Sequence, residues 1–592
     1  MPVIEEVSVS LDLVKERGVP LERQTFDWRD LVRLPIGKHT DDAFTRVRVI
    51  TMHAVEGEAV RFQHACARAN GDLRLPLARI RRVEQHQQTL LAFLQPPDLS
   101  PLEMTLGHAQ MIIEMTAAVA QHEPDAATAA IYRFVLAEDV DHLARLAALC
   151  DRLEGREASH LLQGDTELQP GRPTSEQHRA PEDELVAPYE RAHAQPLSKL
   201  HALTILAAKQ QLHDHYLSVG PRLADPLARQ LYAEIASVQE QHVTRYESLL
   251  DPGETWLEKW LLHEVVEVYG YWSCLAHEPN PRLKEVCQRF VDYELGHLHF
   301  VRELFERIER RDAAEVLPAT LPPALDFASH RTFVREVIDR EIDLRALGTQ
   351  LVPKDQERAD SPSLSYRTRV NAKGSPSQTV GEPGVPLSAA PHAELRAAYA
   401  VEVERAAHAE AKEPAALLID KLGERLASQR LSARLYQALV DKLPVLGGEL
   451  SASTGPTVDE LAQLAGDQLR HVELLRASLV ELGADASALS PSAELATEML
   501  LAPLQVLTDP RTELPECLQA LLQAELADVD GWQLLVELAE SLAVDTLVVR
   551  LHVALTEAQD HLQLARTWLS EHALAGTDGL VRRATPAPHQ VA

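Results

Sequence analysis

Apolar positions recur at helical rather than alternating spacing along most of the chain, and the helical runs fall into sets of four. The first set covers about 45–70, 75–95, 101–122 and 125–151, with Pro76, Pro96-Pro97, Pro101 and Pro124 at boundaries. Short loops between long amphipathic helices predict antiparallel neighbours in an up-down bundle. A second set covers about 196–217, 225–250, 254–277 and 280–311. Its third helix carries Trp256, Trp260, Tyr269, Tyr271 and Trp272, expected at helical spacing to pack a core rather than line a ligand box. A connector near 155–195, rich in Gly, Pro, His and charge, is expected to wrap the surface. Residues 351–392 turn to Ser, Pro and Gly and predict a flexible linker. Beyond a run near 393–411 lie four more helices, about 414–442, 457–482, 513–540 and 543–571, with Thr457 and Glu460 as a capping box. The expected organisation is therefore a lead-in (1–44), a bundle (45–155), a connector (156–195), a bundle (196–311), a connector and linker (312–392), a bundle (393–572) and a flexible tail (573–592).

The first two sets repeat one another. Asp139 and His142 match Glu294 and His297 at an offset of 155 (297 − 142 and 294 − 139). Gln121-His122-Glu123-Pro124 becomes Ala276-His277-Glu278-Pro279, and His108 becomes His263, at the same offset. Glu84-Gln85-His86 matches Glu240-Gln241-His242 only if one residue is inserted. Ordered landmarks between helices of similar length mean an internal repeat.

The repeated feature has chemistry. Glu294 and His297 are three apart on a helix, so both leave one face and can share a metal ion. A four-helix carboxylate bundle uses a Glu from each of two helices and a Glu-x-x-His from each of the other two.

Composition sharpens the picture by exclusion. The net charge of −31 disfavours nucleic acid, whose phosphates call for clustered Lys and Arg. No run of 18 apolar residues and no basic, apolar leader occurs, so neither a membrane span nor a signal peptide is expected. Cys66, Cys150, Cys274, Cys287 and Cys517 form no CxxC and read as buried thiols of a reducing cytoplasm. Nucleotide-binding, nucleophile-elbow and His-Glu-x-x-His motifs are absent from the sequence.

Lys421-Leu422-Gly423-Glu424-Arg425-Leu426-Ala427, Asp509-Pro510-Arg511-Thr512 and Ala524-Glu525-Leu526-Ala527-Asp528-Val529-Asp530-Gly531-Trp532 resemble a bacterial ferritin-like domain family. The first two bundles resemble the ferritin-like superfamily through helix order and ligand spacing. The resemblance implies an all-α fold of three ferritin-like four-helix bundles in tandem, the third after a long flexible linker. It also implies iron as cofactor, iron-dependent oxidoreductase or ferroxidase-like chemistry, and room for a homo-oligomer. A last segment, Gly576-Thr577-Asp578-Gly579-Leu580-Val581-Arg582-Arg583, resembles the peptides that load cargo into encapsulin shells, which would make a shell protein the partner.

Under that resemblance the metal ligands of the first bundle are Glu58 (or Glu56), His86, Glu114, Asp139 and His142, and those of the second are His242, Glu267, Glu294 and His297. In the first bundle Glu84 points about 100° away from the ligand face set by His86. In the second, Gln239 stands where a Glu belongs and Lys209 aligns with Glu58. That lysine is expected to pair with Glu267 and Glu294 in place of metal. The third bundle keeps Glu525, His471 and His561, but Gln429 and Gln468 replace glutamates, Ala558 precedes His561, and Glu557 is off by one position. It is expected to be metal-free, its histidines hydrogen-bonded to the glutamines. The alternative for the whole chain is a metal-free structural or protein-binding scaffold. His213-Asp214-His215 reads as a chance cluster in a His-rich chain.

Overall fold

The computed structural model describes residues 11–381, 415–446, 455–486 and 491–584, apart from 39, 155–157, 224, 319 and 510. The chain divides into two compact units, Met1–Ala397 and Ala398–Ala592. Both are helical among the described residues, apart from a hairpin of β1 (Leu344–Leu347) and β2 (Gln350–Pro353).

The first unit contains both repeats. Helices α1 (Ala43–Ala69), α2 (Arg74–Phe93), α3 (Pro101–His122) and α4 (Ala126–Glu154) are followed by α5 (Pro196–Val219), α6 (Pro226–Glu247), α7 (Trp256–His277) and α8 (Pro281–Glu309). The repeat is visible in the caps. Ser100 and Glu103 form a capping box at α3, and Thr255 and Glu258 form the same box at α7.

Consecutive helices pair as hairpins, α1 with α2, α3 with α4, α5 with α6 and α7 with α8. The hairpins then meet crosswise. Helix α1 packs on α7 of the second repeat, and α5 of the second repeat packs on α3 of the first, while α4 meets α6. Two bundles result, one from α1, α2, α7 and α8 and the other from α3, α4, α5 and α6. The expected grouping of 45–155 and of 196–311 as separate bundles is corrected accordingly. Each hairpin carries an apolar face, and the sequence leaves open which hairpin covers it.

Two further segments depart from expectation. The connector does not wrap the surface: Arg172, Thr174, Ser175, Gln177, His178 and Arg179 are buried. Residues 351–381, expected to be flexible, form β2, α10 (Pro362–Val370) and α11 (Pro376–Gly381), after α9 (Arg331–Glu341) and the hairpin. Their serines fasten them to buried carboxylates. Ser375 Oγ donates to Glu234 Oε1 at 2.7 Å, Ser377 N donates to Glu234 Oε2 at 2.8 Å, and Ser363 Oγ donates to Asp183. A polar segment can be ordered when its hydroxyls satisfy buried acids. Residues 382–392 of the expected linker and the run 393–411 lie outside the described residues.

The second unit holds α12 (Ala415–Leu446), α13 (Val458–Glu481), α15 (Leu514–Ser541) and α16 (Asp545–Ala584), close to the expected spans, and an additional helix α14 (Pro491–Thr508). The Thr457–Glu460 capping box is formed. Helix α16 runs on to Ala584, so residues 576–583 are helical rather than a flexible tail. Residues 585–592 lie outside the described residues.

Among the described residues no helix is long and apolar enough to cross a membrane.

Candidate metal centre

The crossed pairing decides which acids meet. Glu84 of α2, Glu264 of α7, and Glu294 and His297 of α8 offer ligand atoms within 4.8 Å of one another. Glu56 of α1 and Glu267 of α7 join them: all five carboxylates and the imidazole are completely buried, and Glu56, Glu84 and Glu294 act electrostatically on Glu267.

Neighbouring side chains hold part of each group. Tyr271 OH donates to Glu56 Oε1 at 2.5 Å, Trp260 Nε1 to Glu264 Oε1 at 2.6 Å, and Gln63 Nε2 to both oxygens of Glu84 at 2.7 and 2.6 Å. Gln87 Nε2 donates to Glu294 Oε1 at 2.5 Å, and His297 Nδ1 lies 2.8 Å from Glu294 Oε2. The expected packing role of Trp260 and Tyr271 is thus joined to a second one, fixing carboxylates. Four carboxylate oxygens have no hydrogen-bond partner: Glu56 Oε2, both oxygens of Glu267, and Glu264 Oε2, which lies 3.9 Å from His297 Nδ1. A buried acceptor left without a donor costs about 1–3 kcal/mol, and more if charged.

The electrostatics follow. Burial, then the charges of Glu294 and Glu84, pushes Glu56 well above the ordinary carboxylate range. Burial, then Glu84 and Glu294, does the same to Glu264 and Glu267. Burial raises Glu84 to about 8. Burial works against the His297 imidazolium, yet the Glu294 carboxylate outweighs it and the net shift is upward. So many buried carboxyl groups with open lone pairs could hold a cation, whose charge would favour their ionised forms.

The other bundle has lost that character. Positions 155 residues before Glu264 and Glu267 are Ala109 and Ile112 (264 − 155 and 267 − 155), and Gln239 stands opposite Glu84 (239 − 84 = 155). Lys209 fills the centre. Its Nζ lies 2.5 and 2.6 Å from the two oxygens of Asp139, 3.2 Å from Gln239 Oε1 and 3.0 Å from His242 Nδ1. His242 Nε2 donates in turn to Glu138 at 2.6 Å, and Arg172 and Arg179 bind the same carboxylate at 2.8 and 2.7 Å. Every oxygen of Glu138 and Asp139 therefore has a partner.

The expected first-bundle and second-bundle ligands are accordingly split. Glu267, Glu294 and His297 sit in the acidic cluster, joined by Glu56, Glu84 and Glu264. Asp139, His142 and His242 surround Lys209 in the other bundle. Lys209 meets Asp139 and not Glu267 or Glu294, because the α5–α6 hairpin packs on the α3–α4 hairpin, α5 on α3 and α6 on α4. Glu58, two residues from Glu56, leaves another face of α1 and accepts from Arg61 Nε at 3.1 Å. His86 lies edge-on to Phe26, with ring centroids 5.5 Å apart, away from the cluster. Glu114 accepts from Thr166 Oγ1 at 2.7 Å and the His330 backbone N at 3.0 Å, and burial raises it to about 7. His215, a member of the chance cluster, stacks on His108 at 4.0 Å.

In the second unit the expected residues do converge. His471 Nδ1 lies 3.3 Å from Gln429 Oε1, and Gln468 Nε2 lies 3.3 Å from His561 Nδ1. Tyr436 OH donates to Glu525 Oε1 at 2.9 Å, and Asp528, one turn along, is bound by Gln429 and by Trp532 Nε1 at 3.1 Å.

Sequence reasoning overlooked Glu264 and set Glu84 aside. Keeping the 155 offset for α2 pairs Glu84 with Gln239 and Gln87 with His242, with no insertion, and that register was the available signal. The chain matches no protein-family model, no curated protein and no solved structure.

Proposed function

We propose that the α1–α2–α7–α8 bundle binds a pair of transition-metal ions, iron being the metal the ferritin-like resemblance implies, and that this is the working site of the chain. The observation carrying the reading is the set of five buried carboxylates with four unpartnered oxygens around one imidazole. Glu56, Glu84, Glu264, Glu267, Glu294 and His297 would hold the ions, and oxygen-rich donors with few nitrogens suit iron or manganese over copper or zinc. Bound there, such ions would supply one-electron redox chemistry.

The chain's own residues prepare the site. Tyr271 and Trp260 each pin one oxygen of a carboxylate and leave the other free. Gln63 and Gln87 orient Glu84 and Glu294 without adding charge. Leu261, Val265 and Val268, fully buried on α7, keep bulk water out.

A second reading, a scaffold without metal, is favoured for the other bundle by the Lys209–Asp139 pair and for the second unit by its hydrogen-bonded glutamines. Elemental analysis after anaerobic Fe(II) loading separates the readings. Wild type and Asp139→Asn should each retain about two metal ions per chain, while Glu264→Ala/Glu267→Ala should retain none. An iron-free wild type, or loss on Asp139→Asn alone, sinks the proposal.

A further inference from the structure

A short motif occurs twice outside the helices: Gly18-Val19-Pro20-Leu21-Glu22-Arg23-Gln24 and Gly171-Arg172-Pro173-Thr174-Ser175-Glu176-Gln177, 153 residues apart (171 − 18 and 177 − 24). Each copy makes one 3-10 turn after its proline, Leu21–Arg23 and Thr174–Glu176. Each straps across a metal-motif helix of the other repeat. Val19 N donates to Asp292 O and Arg172 N donates to Ala137 O, both at 2.7 Å.

The strap lies so close that side chains have no room beneath it. A Cβ on Gly296, inside the Glu-Leu-Gly-His motif, would stand 1.9 Å from Val19 O. One on Gly171 would stand 2.1 Å from Ala137 O.

The glutamine closing each strap reaches the histidine of the motif. Gln24 Nε2 donates to two carbonyls, Val19 O at 2.8 Å and Tyr293 O at 2.9 Å. Carbonyls only accept, so the amide orientation is fixed and Gln24 Oε1 faces His297 Nε2 at 2.6 Å. An amide oxygen only accepts, so His297 Nε2 carries hydrogen. The second copy obeys the same logic: Gln177 Nε2 donates to Arg172 O at 2.6 Å and Glu138 O at 3.3 Å, and Oε1 faces His142 Nε2 at 2.7 Å. There the outcome is visible on the other nitrogen, because His142 Nδ1 lies 3.1 Å from the Gln239 amide nitrogen, a donor, and must therefore be the acceptor.

We infer that Gln24 is a positioning residue for the metal centre: it holds His297 with hydrogen on Nε2 and so presents Nδ1 to Glu84, Glu264 and Glu294. This rests on the reading of the acidic cluster as a metal site. A partner on the remote nitrogen of a ligand histidine fixes its orientation and raises its basicity. Gln177 does the same where no metal is expected, and so supplies an internal control.

The test uses the full-length chain labelled with 15N-histidine, with Zn(II) as a diamagnetic probe. Gln24→Leu should weaken Zn(II) binding on the order of 10- to 100-fold. Gln24→Glu, which keeps an acceptor at Nε2 but gives up the two donations to Val19 O and Tyr293 O, should restore only part of that affinity. Gln177→Leu removes equivalent contacts over the other bundle and should leave Zn(II) affinity within about twofold, although it lowers the melting temperature. Imidazole 15N shifts should show His142 as the neutral Nε2–H tautomer in wild type and a mixture in Gln177→Leu. Unchanged affinity in Gln24→Leu, equal losses from both leucine variants, or His142 protonated on Nδ1 overturns the inference. A wild type that binds no Zn(II) removes the metal reading, while the His142 tautomer still decides whether the strap glutamine sets it.

Discussion

Lys209 Nζ sits 2.6 Å from Asp139 Oδ2, whereas in the other bundle Glu294 is met by a further acid, Glu56, on which it acts electrostatically. One internal repeat thus keeps two answers to the same problem. In one bundle the ammonium of a chain residue neutralises the buried acid through an ion pair, and in the other several acids lie together with no Lys or Arg among them. Burial depresses the Lys209 pKa, and Asp139 works against that fall.

Removing one member of this pair strands the other. Lys209→Met should destabilise the first unit by about 3–5 kcal/mol, and Lys209→Met/Asp139→Leu should recover much of the loss. Chemical denaturation of the four members of the double-mutant cycle measures the coupling, which should be well above that of an exposed ion pair.

The acidic cluster should be a stability liability without metal. Glu267→Gln, which removes a titratable carboxyl whose two oxygens lack a hydrogen-bond partner, should stabilise the chelator-treated protein by about 1 kcal/mol or more. The same substitution should diminish the stabilisation conferred by added metal. Thermal melts with and without chelator read both effects.

Glu84 gives the metal-free protein a pH dependence of definite sign. Its folded pKa is raised from 4.5 to about 8, so unfolding releases a proton between those values. Stability should fall as pH rises from 4.5 to 8, by roughly 3–5 kcal/mol in all. Glu84→Gln should flatten the profile in that window, which urea melts at stepped pH would register.

Gly296→Ala places a methyl group 1.9 Å from Val19 O, which is backbone and cannot rotate away. The strap must lift, at a cost of about 1–3 kcal/mol. Limited proteolysis should then cut near residues 11–27 first, and Gly171→Ala should expose the second strap in the same way.

In the second unit, burial and then Asp528 push Glu525 well above the ordinary range, and one of its oxygens has no partner. Glu525→Gln should be neutral or slightly stabilising, within about 1 kcal/mol, and should leave the metal content of the full chain unchanged. A loss of metal would place a second site there.

Helix starts were legible where they are written locally: Pro101 marks the start of α3, and the Thr457–Glu460 box starts α13. The repeat was legible for the same reason. The partnering of hairpins was not, since periodicity marks the face of α1 that is buried but not that α7 buries it. His86 drew attention by matching His242 in type, although Gln87 occupies the matching turn of α2. The ordered serines of 361–377 misled because their hydroxyls answer Glu234 and Asp183, residues far off in the chain.

The crosswise pairing also sets a timetable for biosynthesis. Glu56 leaves the ribosome 241 residues before His297 (297 − 56). At about 5–20 residues per second, that is roughly 12–48 s of translation. The α3–α6 bundle can close as soon as α6 is made, bringing Lys209 to Asp139, while α1 and α2 wait with their acids in water for α7 and α8. Long-range closure of this kind is slow. The bundle with its own lysine is therefore complete in sequence first, and can serve as the template on which the acid-rich half is finished.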